Sequence, residues 1–106
     1  MLTIIAEIQI RSAAKHYENV CHAFKKITQI VLLEKGCYGY ELLTDYLTEV
    51  DFQTKVPDSI TLLEHWESMQ HLNAHLKTAH MQAYQEQVKG DVIGVKIRIM
   101  QKGLYI

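Results

Sequence analysis

In Ile60-Thr61-Leu62-Leu63-Glu64-His65-Trp66-Glu67-Ser68-Met69-Gln70-His71-Leu72-Asn73-Ala74-His75-Leu76-Lys77-Thr78-Ala79-His80-Met81 an extended segment gives way to helix. Ile60 to Trp66 is mostly apolar and reads as a strand. Ser68 is placed to cap a short helix reaching Leu76. Thr78 restarts the helix, with Met81, Tyr84 and Val88 on its inner side, and Lys89-Gly90 ends it. Beyond it, Val92 to about Lys102 alternates Val95, Ile97 and Ile99 with Lys96, Arg98 and Met100, which predicts a final strand.

Upstream, Thr48 to Ser59 is polar, holds Pro57, the only proline, and reads as a loop between strands. Cys37 to about Leu47 returns to period two, with Tyr38, Tyr40, Leu42, Thr44 and Tyr46 on one side. Before it lies an amphipathic helix with Tyr17, Val20, Cys21, Phe24, Ile27 and Val31 inward, capped by Ser12 and closed by the basic turn Lys35-Gly36. Leu2 to Arg11 is the first strand, with Ile4, Ala6, Ile8 and Ile10 on its apolar face. The order β-α-β-β-α-β, its second helix broken near Lys77-Thr78, predicts an α+β, ferredoxin-like sandwich. One four-stranded antiparallel sheet carries helices on one face, in a single domain over residues 1–106. The other face still offers Ile5, Leu43 and Leu63, and apolar surface of that kind predicts a homodimer through the sheet.

Composition narrows the partners. The chain has 106 residues, 48% of them hydrophobic and 22% charged, with a formal charge of −1. No concentrated basic face exists for a nucleic acid or an anionic membrane. The run Ile30-Val31-Leu32-Leu33 is too short to span a bilayer, and no secretion signal is evident, so a cytoplasmic protein is expected. Cys21 and Cys37 make no disulfide framework; Cys21, on the inner side of its helix, is expected to be an inert buried thiol.

Glu64-x-Trp66-x-Ser68, followed by His75 and His80, resembles the signature of the antibiotic biosynthesis monooxygenase family. The similarity extends to the Ile4-Ile5-Ala6-Glu7 first strand and to the long helix ending in Lys-Gly before an aromatic strand. It implies a dimeric α/β-barrel type of protein with a pocket between helices and sheet in each subunit. Oxygenating members of the family use no flavin, metal or haem, so no cofactor is implied. Such chemistry needs an electron-rich aromatic, hydroquinone- or phenol-like, that passes an electron to O2 once deprotonated. The protein takes the proton, holds the ring and excludes water.

The resemblance makes His75 the proton acceptor and Trp66 a flat wall for the ring, as the catalytic pair. The plainer readings are a surface or carbonyl-bound histidine and a core tryptophan. Glu64, His80, Met81 and Tyr84 are the expected substrate-binding residues. Against this, Glu64 has a structural hydrogen bond as its plainer role, His80 would serve equally as a helix cap, and Met81 and Tyr84 belong to a core stripe. His71 and His75 share one helix face, but no cysteine or carboxylate completes a ligand group at motif spacing, so no metal site is expected. His16, His22 and His65 read as surface residues, and Tyr38, Tyr40 and Tyr46 as dimer or core packing. Haem-degrading members carry an asparagine on the first strand where this chain has Ala6, Glu7 and Ile8. Anthrone-oxidising members carry one four residues before the tryptophan, where this chain has Leu62. The small quinol-oxidising type is the remaining match; the alternative is a non-catalytic dimer of the same fold binding a small ligand or haem.

Overall fold

The computed structural model describes residues 1–103. Strand β1 (Leu2–Ile10) is followed by helix α1 (Ala14–Leu32), strands β2 (Cys37–Leu43) and β3 (Ser59–Trp66), helices α2 (Met69–Leu76) and α3 (Ala79–Val88), and strand β4 (Val92–Met100). The four strands lie in the order β2-β3-β1-β4, every neighbour antiparallel. This is the expected βαββαβ ferredoxin-like sandwich.

Cross-strand pairing fixes which side chains share a face. Ile4, Ala6 and Ile8 of β1 sit opposite Glu64, Leu62 and Ile60 of β3, and opposite Ile99, Ile97 and Val95 of β4. This face meets the helices. Val20, Ala23, Phe24, Ile27 and Val31 of α1, Leu72 of α2, and Met81, Tyr84 and Val88 of α3 are buried against it. The helical cover stops short of β4, where Val95 and Ile97 keep 49% and 60% of their surface exposed. The opposite face carries Ile5, Leu63 and Leu43 among Thr3, Glu7, Thr61, Lys96 and Arg98, and Leu43 is exposed.

Several boundaries differ from the sequence reading. Strand β2 ends at Leu43, because among the described residues it pairs with β3 alone and their last pair is Leu43 with Thr61. Tyr46 is therefore outside the strand and exposed. A register shift between Cys37 and Gly39 separates Tyr38 from Tyr40. Tyr38 turns outward, its hydroxyl donating to Glu67 Oε1 at 3.1 Å, while Tyr40 turns into the core. Ser12 does not cap α1. The N-cap position is Ala13, at a φ of 117° and with no side-chain cap. Asp91, at the entrance to β4, ties that end of the helix instead. Its carboxylate accepts from His16 Nδ1 at 2.7 Å and from Asn19 Nδ2 at 3.3 Å, and its carbonyl accepts from Arg11 N at 2.9 Å. His16 is thus a tertiary contact, not a free surface residue. Lys35 falls outside the last turn of α1, which ends at Leu32 with no basic residue in that turn. Cys21 is only partly buried.

The hydrogen bond from His16 holds the Asp91 carboxyl below its ordinary range. A carboxylate with a depressed native pKa contributes stability above about pH 4, the unfolded value, and loses it as pH falls through the native one. Asp91→Asn should therefore lower the denaturant midpoint at about pH 6, and the gap to the parent should close below about pH 4. Equal midpoints at both pH values would show that Asp91 does not anchor α1.

Candidate functional site

Glu64 points toward the helices between Ile4 of β1 and Tyr40 of β2. Two positions along the same strand face, Trp66 donates from Nε1 to Glu64 Oε1 at 2.8 Å. Both side chains are buried. Desolvation pushes the Glu64 carboxyl above its ordinary pKa, with the Trp66 hydrogen bond opposing the shift. This is the structural hydrogen bond that the plainer reading of Glu64 foresaw.

His75, from the last turn of α2, lies over this pair. Its ring centroid is 4.6 Å from that of Trp66 and 5.8 Å from that of Tyr40, the latter edge-on. Its side chain is 1% exposed, and Nδ1 lies 2.7 Å from Glu34 Oε2. A carboxylate accepts only, so this partner assigns the proton to Nδ1 and leaves the Nε2 lone pair free. Nε2 is turned toward Glu64, 4.0 Å from Oε1, too far for a direct hydrogen bond. Burial lowers the His75 pKa from its usual value, with Glu34 pulling the other way. A neutral ring with one open nitrogen is the state a proton acceptor needs.

Glu34 arrives from the turn between α1 and β2. There Gly36 takes a φ of 83°, and a Cβ added to it would sit 2.4 Å from the His71 ring. Only glycine allows that approach. Glu67 N donates to the Gly36 carbonyl at 2.8 Å, clamping this turn to the entrance of α2. The helix is capped as expected by Ser68, whose hydroxyl accepts from His71 N, and Thr78 caps α3 in the same way through Met81 N. The break between the helices swings His80 round, so that its Nε2 lies 2.8 Å from the same Glu34 Oε2. One carboxylate oxygen thus takes two imidazole N–H groups.

Above the sheet, next to this cluster, is a cavity of about 330 Å³. Ala6 and Leu62 lie on its sheet side, Phe24, Met81 and Tyr84 on its helix side, and Val95 and Ile97 toward β4. The single methyl of Ala6, set between Leu62 and Ile97, leaves depth in the floor. Tyr40, Glu64 and His75, with Gln85 and Lys89, add polar groups to a mostly apolar lining. The Tyr40 hydroxyl is, among the described residues, the one buried side-chain polar atom without a hydrogen-bond partner. Burial raises its pKa, so it remains a phenol and a donor.

Of the residues singled out in the sequence, His75, Glu64, Met81 and Tyr84 line the cavity. Trp66 does not. It is fully buried behind the His75 ring, where it orients that ring and Glu64, and the expected flat wall falls to Phe24, Tyr40 and Tyr84 instead. His80 neither lines the cavity nor caps α3; it bonds Glu34. His71 does not pair with His75. Its Nδ1 lies 2.7 Å from Ser68 Oγ, and its ring lies against Gly36. The carboxylate absent at motif spacing comes from Glu34, so the group of potential metal ligands is Glu34, His75 and His80, with one ligand atom from each and all within 4.8 Å.

The sequence model of the antibiotic biosynthesis monooxygenase family matches residues 1–87. The chain belongs to that family. YgiN of Escherichia coli K12, named a probable quinol monooxygenase, is 51% identical over 104 residues, which span 98% of this chain and all of YgiN. Among solved structures, a conserved protein of Methanosarcina mazei Go1 superposes with a TM-score of 0.79 at 18% identity, covering 96% of this chain and 92% of its own. PA3566 of Pseudomonas aeruginosa gives 0.78 at 22% identity, covering 97% and 94%. At those identities the likeness concerns the fold. Among the described residues no helix is long and apolar enough to cross a membrane.

Tyr40→Phe removes a buried hydroxyl that has no partner among the described residues. The ligand-free protein should keep its stability or gain up to about 1–2 kcal/mol in denaturant unfolding. A clear loss of stability would mean that the hydroxyl is already satisfied.

Proposed function

We infer that this chain oxidises a small hydroquinone-like aromatic with O2, using His75 as the base and no resident cofactor. Family membership and the half-identical relative carry the coarser part: this is a monooxygenase. The finer reading rests on one observation. His75 is buried and held by Glu34 through Nδ1, its ring lines a mostly apolar cavity, and its other nitrogen faces Glu64 of the same lining with no direct hydrogen bond.

The cavity is at the small end of ligand pockets, which run to roughly 300–1,000 Å³. That volume favours one or two fused rings over a macrocycle such as haem. The apolar lining takes the ring faces, and the Tyr40 hydroxyl donates to a substrate oxygen. His75 Nε2 accepts a phenolic proton, and the imidazolium formed is stabilised by the Glu34 carboxylate on its far side. The deprotonated ring is electron-rich enough to pass one electron to O2, and the two radicals then join at a ring carbon. A hydroquinone bearing a ring hydrogen plus O2 yields a hydroxyquinone plus water, which balances without an external reductant. Trp66, packed against His75 and hydrogen-bonded to Glu64, is a positioning residue in this scheme, and so is His80, through Glu34.

The homodimer through the helix-free sheet face belongs to the same reading. Ile5, Leu63 and Leu43 supply its apolar centre; Glu7 stands beside Lys96, and Glu41 and Arg98 lie at opposite edges of the row through Leu63 and Ile5. Opposite charges on one face suit a two-fold contact that sets each against its complement.

Menadiol is the first substrate to try. Oxygen uptake above the uncatalysed rate is expected from the parent protein, and His75→Gln should lower the enzymatic rate by about 10²–10⁴-fold. A His75→Gln protein that consumes oxygen as fast as the parent removes the base assignment. Light scattering at micromolar concentration should give twice the mass of one chain. A monomer mass rejects the dimer, and Leu63→Glu should produce that mass from the parent dimer.

A further inference from the structure

Glu34, His75 and His80 hold more ligand capacity than a proton acceptor needs. One carboxylate oxygen and two imidazole nitrogens converge within 4.8 Å. The set is of mixed type, two histidines and a carboxylate, which suits a borderline divalent ion such as Zn²⁺ and leaves a coordination position open. It also has a way in. On the side away from the cavity is a polar cleft of about 500 Å³, lined by Glu34, Lys35, Glu67, Gln70, His71 and Thr78. The side chains of Glu34 and His80 remain 14% and 19% exposed, whereas His75 is closed off. Of the three groups Glu34 alone lines the cleft, and His80 and His75 reach the ion from behind it through that carboxylate oxygen.

We propose that Glu34 Oε2, His75 Nδ1 and His80 Nε2 bind a zinc-type divalent cation, and that the ion reverses the hydrogen-bonding polarity of His75 on its cavity side. The reversal follows from imidazole chemistry. A metal takes a lone pair, so coordination at Nδ1 requires the ring proton to move to Nε2. No proton need leave the neutral ring; it changes nitrogen. The cavity-side atom then donates where it previously accepted. Trp66, packed against the same ring at a tilt of 36°, keeps the imidazole in place, so the change is one of tautomer and not of rotamer. Zinc would therefore switch off proton abstraction without entering the cavity. That last consequence rests on the reading of His75 as base; the ion site and the tautomer change do not.

Calorimetric titration of the untagged, chelator-treated protein with Zn²⁺ tests the site. Saturable binding near one ion per chain is expected, reversed by EDTA, and weakened about tenfold or more in Glu34→Gln and His80→Gln. His22→Gln, at an exposed histidine, and His71→Gln, in the cleft wall, should bind as the parent does. Circular dichroism of each variant without zinc separates loss of a ligand from loss of fold. In the parent, Zn²⁺ should raise the thermal midpoint, as any ligand of the native state does. Long-range ¹H–¹⁵N spectra should place the His75 proton on Nδ1 without zinc and on Nε2 with it. Absence of saturable binding, or binding lost in His71→Gln and kept in His80→Gln, overturns the site. An unchanged His75 tautomer with zinc bound overturns the reversal. If zinc binds and the proton moves but menadiol oxidation continues undiminished, the base assignment fails and the ion site stands.

Discussion

A single carboxylate oxygen bonded to two imidazoles holds together parts of the chain that are distant in sequence. Glu34 lies in the turn after α1, His75 in the last turn of α2, and His80 in the first turn of α3. Each bond is short and charge-assisted, and the His75 bond is shielded from water, so the junction is worth more than a surface ion pair of the same length. The arrangement of the cavity depends on it. If Glu34 left, Nδ1 of a buried ring would have no partner and either tautomer would be open to it. With Glu34 in place, the nitrogen beside the cavity has its role assigned from outside.

The cavity itself is a product of strand register. Pairing sets Tyr40, Glu64 and Ile4 side by side, and one step along the sheet sets Leu42, Leu62, Ala6 and Ile97. Three of the second row are bulky, and the helices leave the gap above Ala6 only partly filled. Phe24 and Tyr84 close part of it from the helix side, their ring centroids 4.5 Å apart. An apolar space with a buried, unpartnered phenol and an imidazole on its wall is chemically unlike a packing defect, which would be apolar throughout.

Much of this could be read from the chain alone, because periodicity reports burial. Ile4, Ala6, Ile8, Ile10, Ile60, Leu62 and Trp66 each face the core, and the helix break at Thr78 is marked by its capping hydroxyl. What escaped was set by neighbours in space. Glu34 looks like one more acid in a closing turn; only the fold brings it to His75. Its one local trace is Gly36, two residues on, whose left-handed backbone marks a turn in close contact with something. Tyr40 was legible as buried but not as lacking a partner, since satisfaction of a hydroxyl is a property of its surroundings. Trp66 is legible as an inward-facing residue, yet periodicity cannot tell a wall of a cavity from the layer behind it. Ser12 misled as a cap because the start of α1 is held in space, by Asp91 from the far end of the chain through the side chains of His16 and Asn19.

The interruption at Lys77 and Thr78 acts as a ruler. In a continuous helix each residue turns the next by about 100°, so side chains five apart diverge by roughly 140° and cannot grip one atom. Here His75 and His80 do, because the two helices have independent axes and the hinge supplies the missing rotation. The length of that joint is consequently as constrained as the identity of the residues it aligns. A one-residue insertion or deletion there would leave every ligand present and still turn His80 away from its carboxylate. Among homologues, then, gaps should be rarer between these two histidines than in the loop 44–58, which only connects strands.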